Sequence, residues 1–202
     1  MTAFGLKRLH LRTDRLLLRP LRNRDAAALT AAVQQSLPEL QPFLPWAESD
    51  YSVRHARDFV RRAITWRRSR VAYAFGIFDA HTRELIGGNG LHGIRSSTAS
   101  AEIGYWIRSD RAGQGIATES SALVLRFAFE ALRCHRVVLR AATDNVGSLR
   151  VAEKLGFHLD GVQRHEAHFA RGWSDFNYFT LLEDEYRANH HLLMRWLAPK
   201  RD

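Results

Sequence analysis

Gly113-Gln114-Gly115 stands directly ahead of a long apolar helix pattern, in the stretch "RSDRAGQGIATESSALVLRFAFEAL" that runs from Arg108 to Leu132 with no lysine in it. The first amides of a helix have no intrahelical acceptor, and the helix dipole adds partial positive charge at the same end. Glycine permits positive φ and a close approach of backbone to a ligand. Residue type and spacing therefore describe a phosphate seat made from main chain alone. Two nucleotide-binding loops are excluded on the letters. A Walker loop needs Lys-Ser/Thr after its last glycine, where Ile116-Ala117 stand, and a dinucleotide fingerprint needs a third glycine, where Glu119 or Ser120 stands. A plain tight turn would use the same residues.

Glu102 and Ser148 are the other candidates for chemistry. In "SAEIGYWI" the period-2 alternation puts Glu102, Gly104 and Trp106 on one side and Ile103, Tyr105 and Ile107 on the other. A carboxylate among apolar neighbours is poorly solvated as an anion, which tunes it for proton transfer. A surface carboxylate on a strand beside a loop fits the letters equally well. Ser148 follows Asn145 by three, at the approach to a helix that opens near Val146. Its hydroxyl is a donor or acid, and Asp144, Asn145 and Ser148 are also good capping residues. No metal site is expected: "HEAH" (His165–His168) is one residue short of H-E-x-x-H and falls in a strand pattern. His190-His191 are expected in solvent. Cys134 is alone, so it can form no intrachain disulfide, and its neighbours Leu132 and Val137 suggest a buried thiol.

The elements that must position these residues follow from periodicity. A strand is expected over Asp14–Leu21, with Pro20 ending it or placing it at an edge, then a helix capped by Asn23 in "NRDAAALTAAVQQS". "LPELQPFLPWAES" reads as a proline-punctuated loop and "SVRHARDFVRRAITWRRS" as an amphipathic helix. Three strand-like runs follow: "AYAFGIFD", "ELIGGNGLHGI" and "SAEIGYWI". Beyond them the pattern predicts a helix over Ile116–Leu132, a strand over Arg136–Ala142 and a helix over Val146–Leu155. Strands over Phe157–Phe169 and Phe176–Glu183 come next, then a helical "DEYRANHHLLMRWLA". A meander followed by β-α-β-α-β alternation implies an α/β (α+β) fold, a mixed sheet with helices on both faces.

The chain has 202 residues, 46% of them hydrophobic, enough for one core and no internal repeat, so a single domain is expected over 1–202 with a helical extension over 184–202. No apolar run reaches membrane-spanning length, and the charged N-terminus lacks the apolar stretch of a secretory signal; the location expected is the cytoplasm. Formal charge is +9, and lysine occurs only at Lys7, Lys154 and Lys200, so arginine dominates the 30 Lys and Arg residues. An arginine-rich coding bias accounts for that as well as an acidic partner does. A phosphorylated cofactor and nucleic acid are both candidates, arginine's planar fork suiting phosphate. Nucleic acid is disfavoured by the lack of any helix-turn-helix, zinc-finger or RNA-binding signature.

"AEIGYWI", "AGQGIATES", "DNVGSLRVAEKLGF", and "GVQRHE" followed by "WSDFNYFTLLEDEY" occur in an order and spacing that resemble the GCN5-related N-acetyltransferase (GNAT) superfamily. Within it the chain resembles the RimJ/RimL-type branch, which acetylates protein N-termini. The resemblance implies a mostly antiparallel sheet with splayed central strands. It implies acetyl-CoA as co-substrate, its pyrophosphate on the amides of Gly113, Gln114, Gly115, Ile116, Ala117 and Thr118. Main-chain groups of Trp106, Ile107 and Arg108 would pair with the pantetheine in the manner of an added strand. It also implies that Asn145 contacts the pantetheine arm, that Glu102 is the general base, and that Ser148 serves the departing sulfur. Two departures stand out. The family loop Q/R-x-x-G-x-G/A has Ala112 in its first place, with Arg111 one residue earlier, and the tyrosine many relatives carry seven residues after the Asn is Ala152 here.

On the acceptor side the resemblance points to Phe43 and Trp46 in "LQPFLPWAE" as wall residues beside Glu102. It points to Asp175 and Tyr178 as residues that orient the acceptor or hold the last hairpin. The expected reaction is direct attack by a primary amine in a ternary complex, on a ribosomal-protein N-terminus first of all. A small amine such as a polyamine or antibiotic, or a non-catalytic acyl-CoA sensor, remain the alternatives. A basic acceptor would be repelled by +9 unless Glu48, Asp50 and Glu102 form an acidic pocket. Monomer and homodimer are both open, the apolar Leu192, Leu193, Trp196 and Leu197 being either an intersubunit patch or packing on the chain's own body.

Overall fold

A computed structural model of the chain describes residues 9–169 and 172–198. The first eight residues, Ala170, Arg171 and the last four lie outside them, and with them Lys7, Lys200 and the ends of the N-terminal and 184–202 expectations. Eight strands form one sheet: β1 (Leu11–Arg12), β2 (Leu16–Pro20), β3 (Tyr73–Asp79), β4 (Leu85–Arg95), β5 (Ser100–Ile107), β6 (Arg136–Ala142), β7 (His158–Phe169) and β8 (Gly172–Leu182). Their spatial order is β1-β2-β3-β4-β5-β6-β8-β7, antiparallel throughout except for the β5–β6 pair. The mixed sheet expected from the alternation is present.

The helices are α1 (Ala26–Gln35), α2 (Leu37–Leu40), α3 (Val53–Arg68), α4 (Ile116–Arg126), α5 (Val146–Lys154), α6 (Glu183–Ala188) and α7 (His190–Leu197). None is long and apolar enough to cross a membrane among the described residues. Strand alternation sorts the sheet's apolar residues onto two faces. Ile77, Leu91, Ile103 and Leu139 pack with Leu123 of α4, Ala152 of α5 and Leu193 of α7. Phe78 and Leu85 pack on the opposite side with Val33 of α1 and Val60 of α3. Helices thus cover both faces.

Several boundaries differ from the sequence expectation for local reasons. The expected Asn23 cap gives way to a 3-10 turn, Asn23–Asp25, in which the Asp25 carboxylate accepts from the Arg22 amide at 2.7 Å and pairs with Arg19. The proline-rich loop contains the single turn of α2, with Pro38 in its first turn, where a missing N–H costs nothing. The helix expected to reach Leu132 ends as α at Arg126 and continues through a π-turn, Phe127–Ala131. There the Phe127 ring is set edge-on to Tyr73 and Phe75. Pro20 closes β2, but β2 is not the sheet edge, because β1 pairs outside it. Cys134 is buried, and burial pushes its thiol pKa up. Leu193 is buried and Trp196 and Leu197 pack on the α4 side of the core, so the C-terminal apolar residues cover the chain's own body. His191 is exposed, whereas His190 is half-buried with its ring against Tyr186.

Candidate active site

The turn before α4 has the conformation that its glycines predict. Gly113 has φ +74° and Gly115, the residue that caps the helix, φ +76°, both in the left-handed region that L side chains avoid. A Cβ at Gly115 would also lie 2.9 Å from the Trp196 ring. None of the amides from Gly113 to Thr118 donates to a protein acceptor among the described residues; the first amide returned to the chain is that of Glu119, which donates to the Gly115 carbonyl at 3.0 Å. Six successive N–H groups stay unpaired at the positive end of α4.

Side chains hold the turn from behind. Arg15 donates through Nε to Glu119 Oε2 at 3.0 Å and reaches the Gln114 carbonyl at 3.4 Å. Thr13 Oγ1 donates to the other Glu119 oxygen at 2.5 Å. Glu119 is buried in the first turn of α4, and Arg15 and Thr13 answer its charge. Arg111, one place from the family's Gln/Arg position, is engaged with Glu84 at 3.3 Å and Asp79 at 3.6 Å. The Gln114 side chain donates to the Asp110 carbonyl at 3.3 Å.

The turn opens onto a gap between β5 and β6. Those strands are bridged from Ser100↔Arg136 to Ile103↔Leu139 and no further, although β5 continues to Ile107 and β6 to Ala142. On its other side β5 stays paired with β4 out to Gly87↔Ile107. The Arg108 amide donates to the Ile86 carbonyl at 2.9 Å, so by the alternation of an antiparallel ladder the main-chain groups of Trp106 also face β4. Those of Tyr105 and Ile107 face the gap. This corrects the expectation for Trp106 and Arg108, leaves Ile107 in place, and adds Tyr105, which periodicity names as a face but not as a hydrogen-bonding edge. The Trp106 side chain packs toward α1 and α3, edge-on to Trp46 with ring centroids 6.1 Å apart. The Arg108 guanidinium pairs with Asp110 at 2.6 Å.

At the far side of the gap α5 begins with Asn145 as its cap, Oδ1 accepting from the Ser148 amide at 3.1 Å. The capping role and a place beside the gap coexist. Ala152, where many relatives have tyrosine, is fully buried.

Glu102 is not in the apolar setting that its neighbours in sequence suggest. Its side chain is a quarter exposed, and its Oε1 accepts from Arg140 Nε at 2.8 Å and lies 3.6 Å from His92 Nε2. Neighbouring strands supply those partners, His92 from β4 and Arg140 from β6. Arg140 also pairs with Glu166 of β7, and Tyr178 of β8, opposite Arg140 in register, donates to Glu166 Oε2 at 2.5 Å. Burial works against the Arg140 charge, but its hydrogen bonds to Glu102 and Tyr178 and the two carboxylate charges outweigh it and raise its pKa. The sequence does not single out Glu166 or Arg140; Glu166 sits in the quoted "GVQRHE", and it meets Tyr178 only through the pairing of β7 with β8.

Asp175 does not face this cluster. Its Oδ1 accepts from the His165 amide at 2.8 Å and its carbonyl from the Thr143 amide at 2.9 Å, which holds the β7–β8 hairpin against the β6–α5 loop. Glu48 and Asp50 group with His55, their ligand atoms within 4.8 Å of one another, while Glu102 groups with Arg140, so the three acids do not form one pocket. A cavity of about 300 Å³ lies between the expected acceptor loop and the β7 end, lined by Gln41, Leu44, Pro45, Ala47, His168 and Phe169. Phe43 and Trp46 are not among its walls; Trp46 is 42% exposed and bridges Tyr51 and Trp106.

The family model for the acetyltransferase (GNAT) domain matches residues 15–158. The probable N-acetyltransferase YjcK of Bacillus subtilis (strain 168) is 32% identical over 173 residues, 83% of this chain and 94% of that protein. The ribosomal-protein-serine acetyltransferase of Escherichia coli (strain K12) is 28% identical over 145 residues, covering 72% and 80%. The structure of Mycobacterium smegmatis RimJ in complex with a CoA-disulfide superposes with a TM-score of 0.82 at 28% identity, covering 94% of each chain. With the unpaired amides of its glycine turn, its parted central strands and these likenesses together, the chain belongs to the GNAT family of N-acetyltransferases.

Proposed function

We propose that this protein transfers an acetyl group from acetyl-CoA to a protein N-terminal α-amine, of the kind found on ribosomal proteins, by direct attack in a ternary complex. The observation that carries the reading is the run of unpaired amides from Gly113 to Thr118, opening onto the unpaired edge of β5. The amides fit a diphosphate without a lysine, and the Tyr105 and Ile107 edge fits the two amides of a pantetheine arm. Acetyl-CoA, when bound, supplies the activated acyl group as a thioester.

The chain's own residues perform the rest. Asn145 and Ser148 stand at the α5 end of the gap, where a departing sulfur needs a hydrogen-bond donor. Glu102 stands at the other side and takes the amine proton directly or through a water. Its ion pair with Arg140 fixes the carboxylate in place on that side. An α-amine, with an unperturbed pKa of roughly 7.7–8, gives up its proton to a carboxylate more readily than a lysine amine at roughly 10.4. The likeness to the Escherichia coli ribosomal-protein-serine acetyltransferase and to the RimJ structure supports the same substrate class.

The test is CoA release from acetyl-CoA against a panel of N-terminal peptides, internal-lysine peptides, polyamines and aminoglycosides. Turnover on free α-amines with little on blocked peptides is expected. Preference for a polyamine or an aminoglycoside would overturn the substrate class, and CoA binding with no turnover on any amine would leave a sensor.

A further inference from the structure

His92 of β4 stands directly opposite Glu102 of β5, the last such pair before the register shifts toward Arg95, and residues so paired share a face of the sheet. Its Nδ1 lies 3.0 Å from the Glu102 carbonyl oxygen. A carbonyl only accepts, so Nδ1 carries the hydrogen, and in the neutral ring Nε2 is left with a lone pair. That Nε2 lies 3.6 Å from Glu102 Oε1, the oxygen to which Arg140 Nε donates at 2.8 Å. One residue thus fixes, through its main chain, the tautomer of the ring that meets its carboxylate. The His92 side chain is 53% exposed. Gly104, next along β5 on that face, has no side chain to cover the ring, although a Cβ there would touch Nε2 at 3.8 Å. The charged groups set against this side of the ring are Glu102 and, through it, Arg140 and Glu166. The α1 helix, which packs on β4, carries no charged residue, and β3 sets Tyr73 opposite Leu91, on the other face.

At neutral pH an α-amine arrives mostly as the ammonium ion and must lose a proton before it attacks. Moving that proton to an ordinary glutamate carboxylate is uphill by about three thousandfold, and to an ordinary imidazole by about twentyfold. A carboxylate that hands its proton on to an imidazole open to water recovers most of the difference. We propose that His92 is a proton relay acting through Glu102: its Nε2 lone pair takes the proton that Glu102 receives from the acceptor and passes it to solvent. The inference rests on the acetyl-transfer reading above. His92 touches neither acceptor nor CoA, so its effect is read through Glu102. The Nε2 to Oε1 separation is longer than a hydrogen bond, as catalytic contacts commonly are before substrate binds, and a small turn of the carboxylate closes it. The first ammonium proton goes to Glu102, then to Nε2, then to water, while the Nδ1 hydrogen stays on the carbonyl. As the nitrogen–carbon bond forms and the carbon–sulfur bond breaks, sulfur keeps the electron pair, and the second proton lost from nitrogen is balanced by the one that sulfur takes up.

The decisive variant is His92→Asn, whose side-chain amide keeps a donor near the place of Nδ1 for the Glu102 carbonyl and offers no basic nitrogen. The expected result is a Tm within a few degrees of wild type, kcat on an N-terminal peptide lowered about tenfold near pH 7, and KM for acetyl-CoA within about twofold. The loss should shrink as pH rises toward about 9, where the amine arrives neutral, and added imidazole should restore much of the rate near pH 7. A merely structural histidine predicts neither the pH dependence nor the rescue. A second readout needs no substrate: long-range nitrogen–proton NMR of the neutral ring should find its hydrogen on Nδ1. A hydrogen on Nε2 overturns the proposal, as does a His92→Asn enzyme whose rate is unchanged near pH 7, lowered equally at every pH, or indifferent to imidazole. If the wild type acetylates no amine, the acetyl-transfer reading itself fails and takes the relay with it, whereas an active wild type with any of those outcomes overturns the relay alone.

Discussion

Arg15 Nε donates to Glu119 Oε2 at 3.0 Å across 104 residues of sequence, and the same guanidinium reaches the Gln114 carbonyl. One side chain therefore neutralises the buried carboxylate in the first turn of α4 and steadies the turn whose amides stay unpaired. Without it, an uncompensated negative charge would stand four residues along the helix from Gly115, beside those free amides.

Arg15→Met should leave Glu119 buried and uncompensated. Because Arg15 is about a third exposed, the stability loss is expected at about 1–2 kcal/mol, below that of a fully buried pair. Tm should fall by about 2–8 °C, with KM for acetyl-CoA raised severalfold. Adding Glu119→Gln should restore much of the Tm. Thermal unfolding and initial-rate kinetics on both variants check this.

Gly113→Ala and Gly115→Ala separate strain from contact. Both impose a Cβ at positive φ, at about 1 kcal/mol each. Only the second meets a ring, that of Trp196 at 2.9 Å, while nothing lies within 4 Å of a Cβ at Gly113. Gly115→Ala should lose more stability and more CoA affinity than Gly113→Ala, as measured by unfolding and by calorimetry with CoA. Equal effects would remove Trp196 from the account.

Glu102→Gln should lower kcat by about a hundredfold or more while CoA binds as before. Arg140→Met should also cut turnover, because Glu102 and Glu166 would then face each other without the cation that holds both. Calorimetry and rate measurements on the same preparations decide. An active Glu102→Gln would move the base elsewhere, Glu166 first.

Asp25 sets a pH dependence unrelated to chemistry. Burial alone would raise its pKa, but the hydrogen bonds from Arg19 and the Arg22 amide and the charges of Arg19 and Arg24 lower it. A carboxylate whose folded pKa is depressed stabilises the fold above its unfolded pKa, roughly 3.9, and that contribution disappears as pH falls through the lower folded value. Asp25→Asn should lose about 2–3 kcal/mol at pH 7 and progressively less below about pH 4, read by urea unfolding at several pH values. A difference that holds constant down to pH 2 would refute the assignment.

Much of the fold was legible because its signals are local. β6 and the starts of α4 and α5 fall where periodicity puts them, and the two glycines announce a positive-φ turn ahead of an apolar helix. The surroundings of the candidate site residues were less legible. Alternation along β5 puts Glu102 on the face away from Ile103 and Tyr105, yet its neighbours in sequence misrepresented its surroundings, since strand neighbours point to opposite faces and His92 and Arg140 arrive from other strands. The placing of β8 between β6 and β7 was not legible either, because a hairpin can join a sheet through either of its strands.

Sequence alone determined the turn chemistry at Gly113–Gly115, the alternation along β5 and the family's order of motifs. Those depend on backbone sterics and on spacings of two to four residues. Tertiary structure decided that Arg140 gathers Glu102 and Glu166, and that Tyr105 rather than Trp106 turns its main chain to the gap. Each of these joins residues dozens of positions apart, and only the pairing of strands and the burial of two apolar faces brings them within reach.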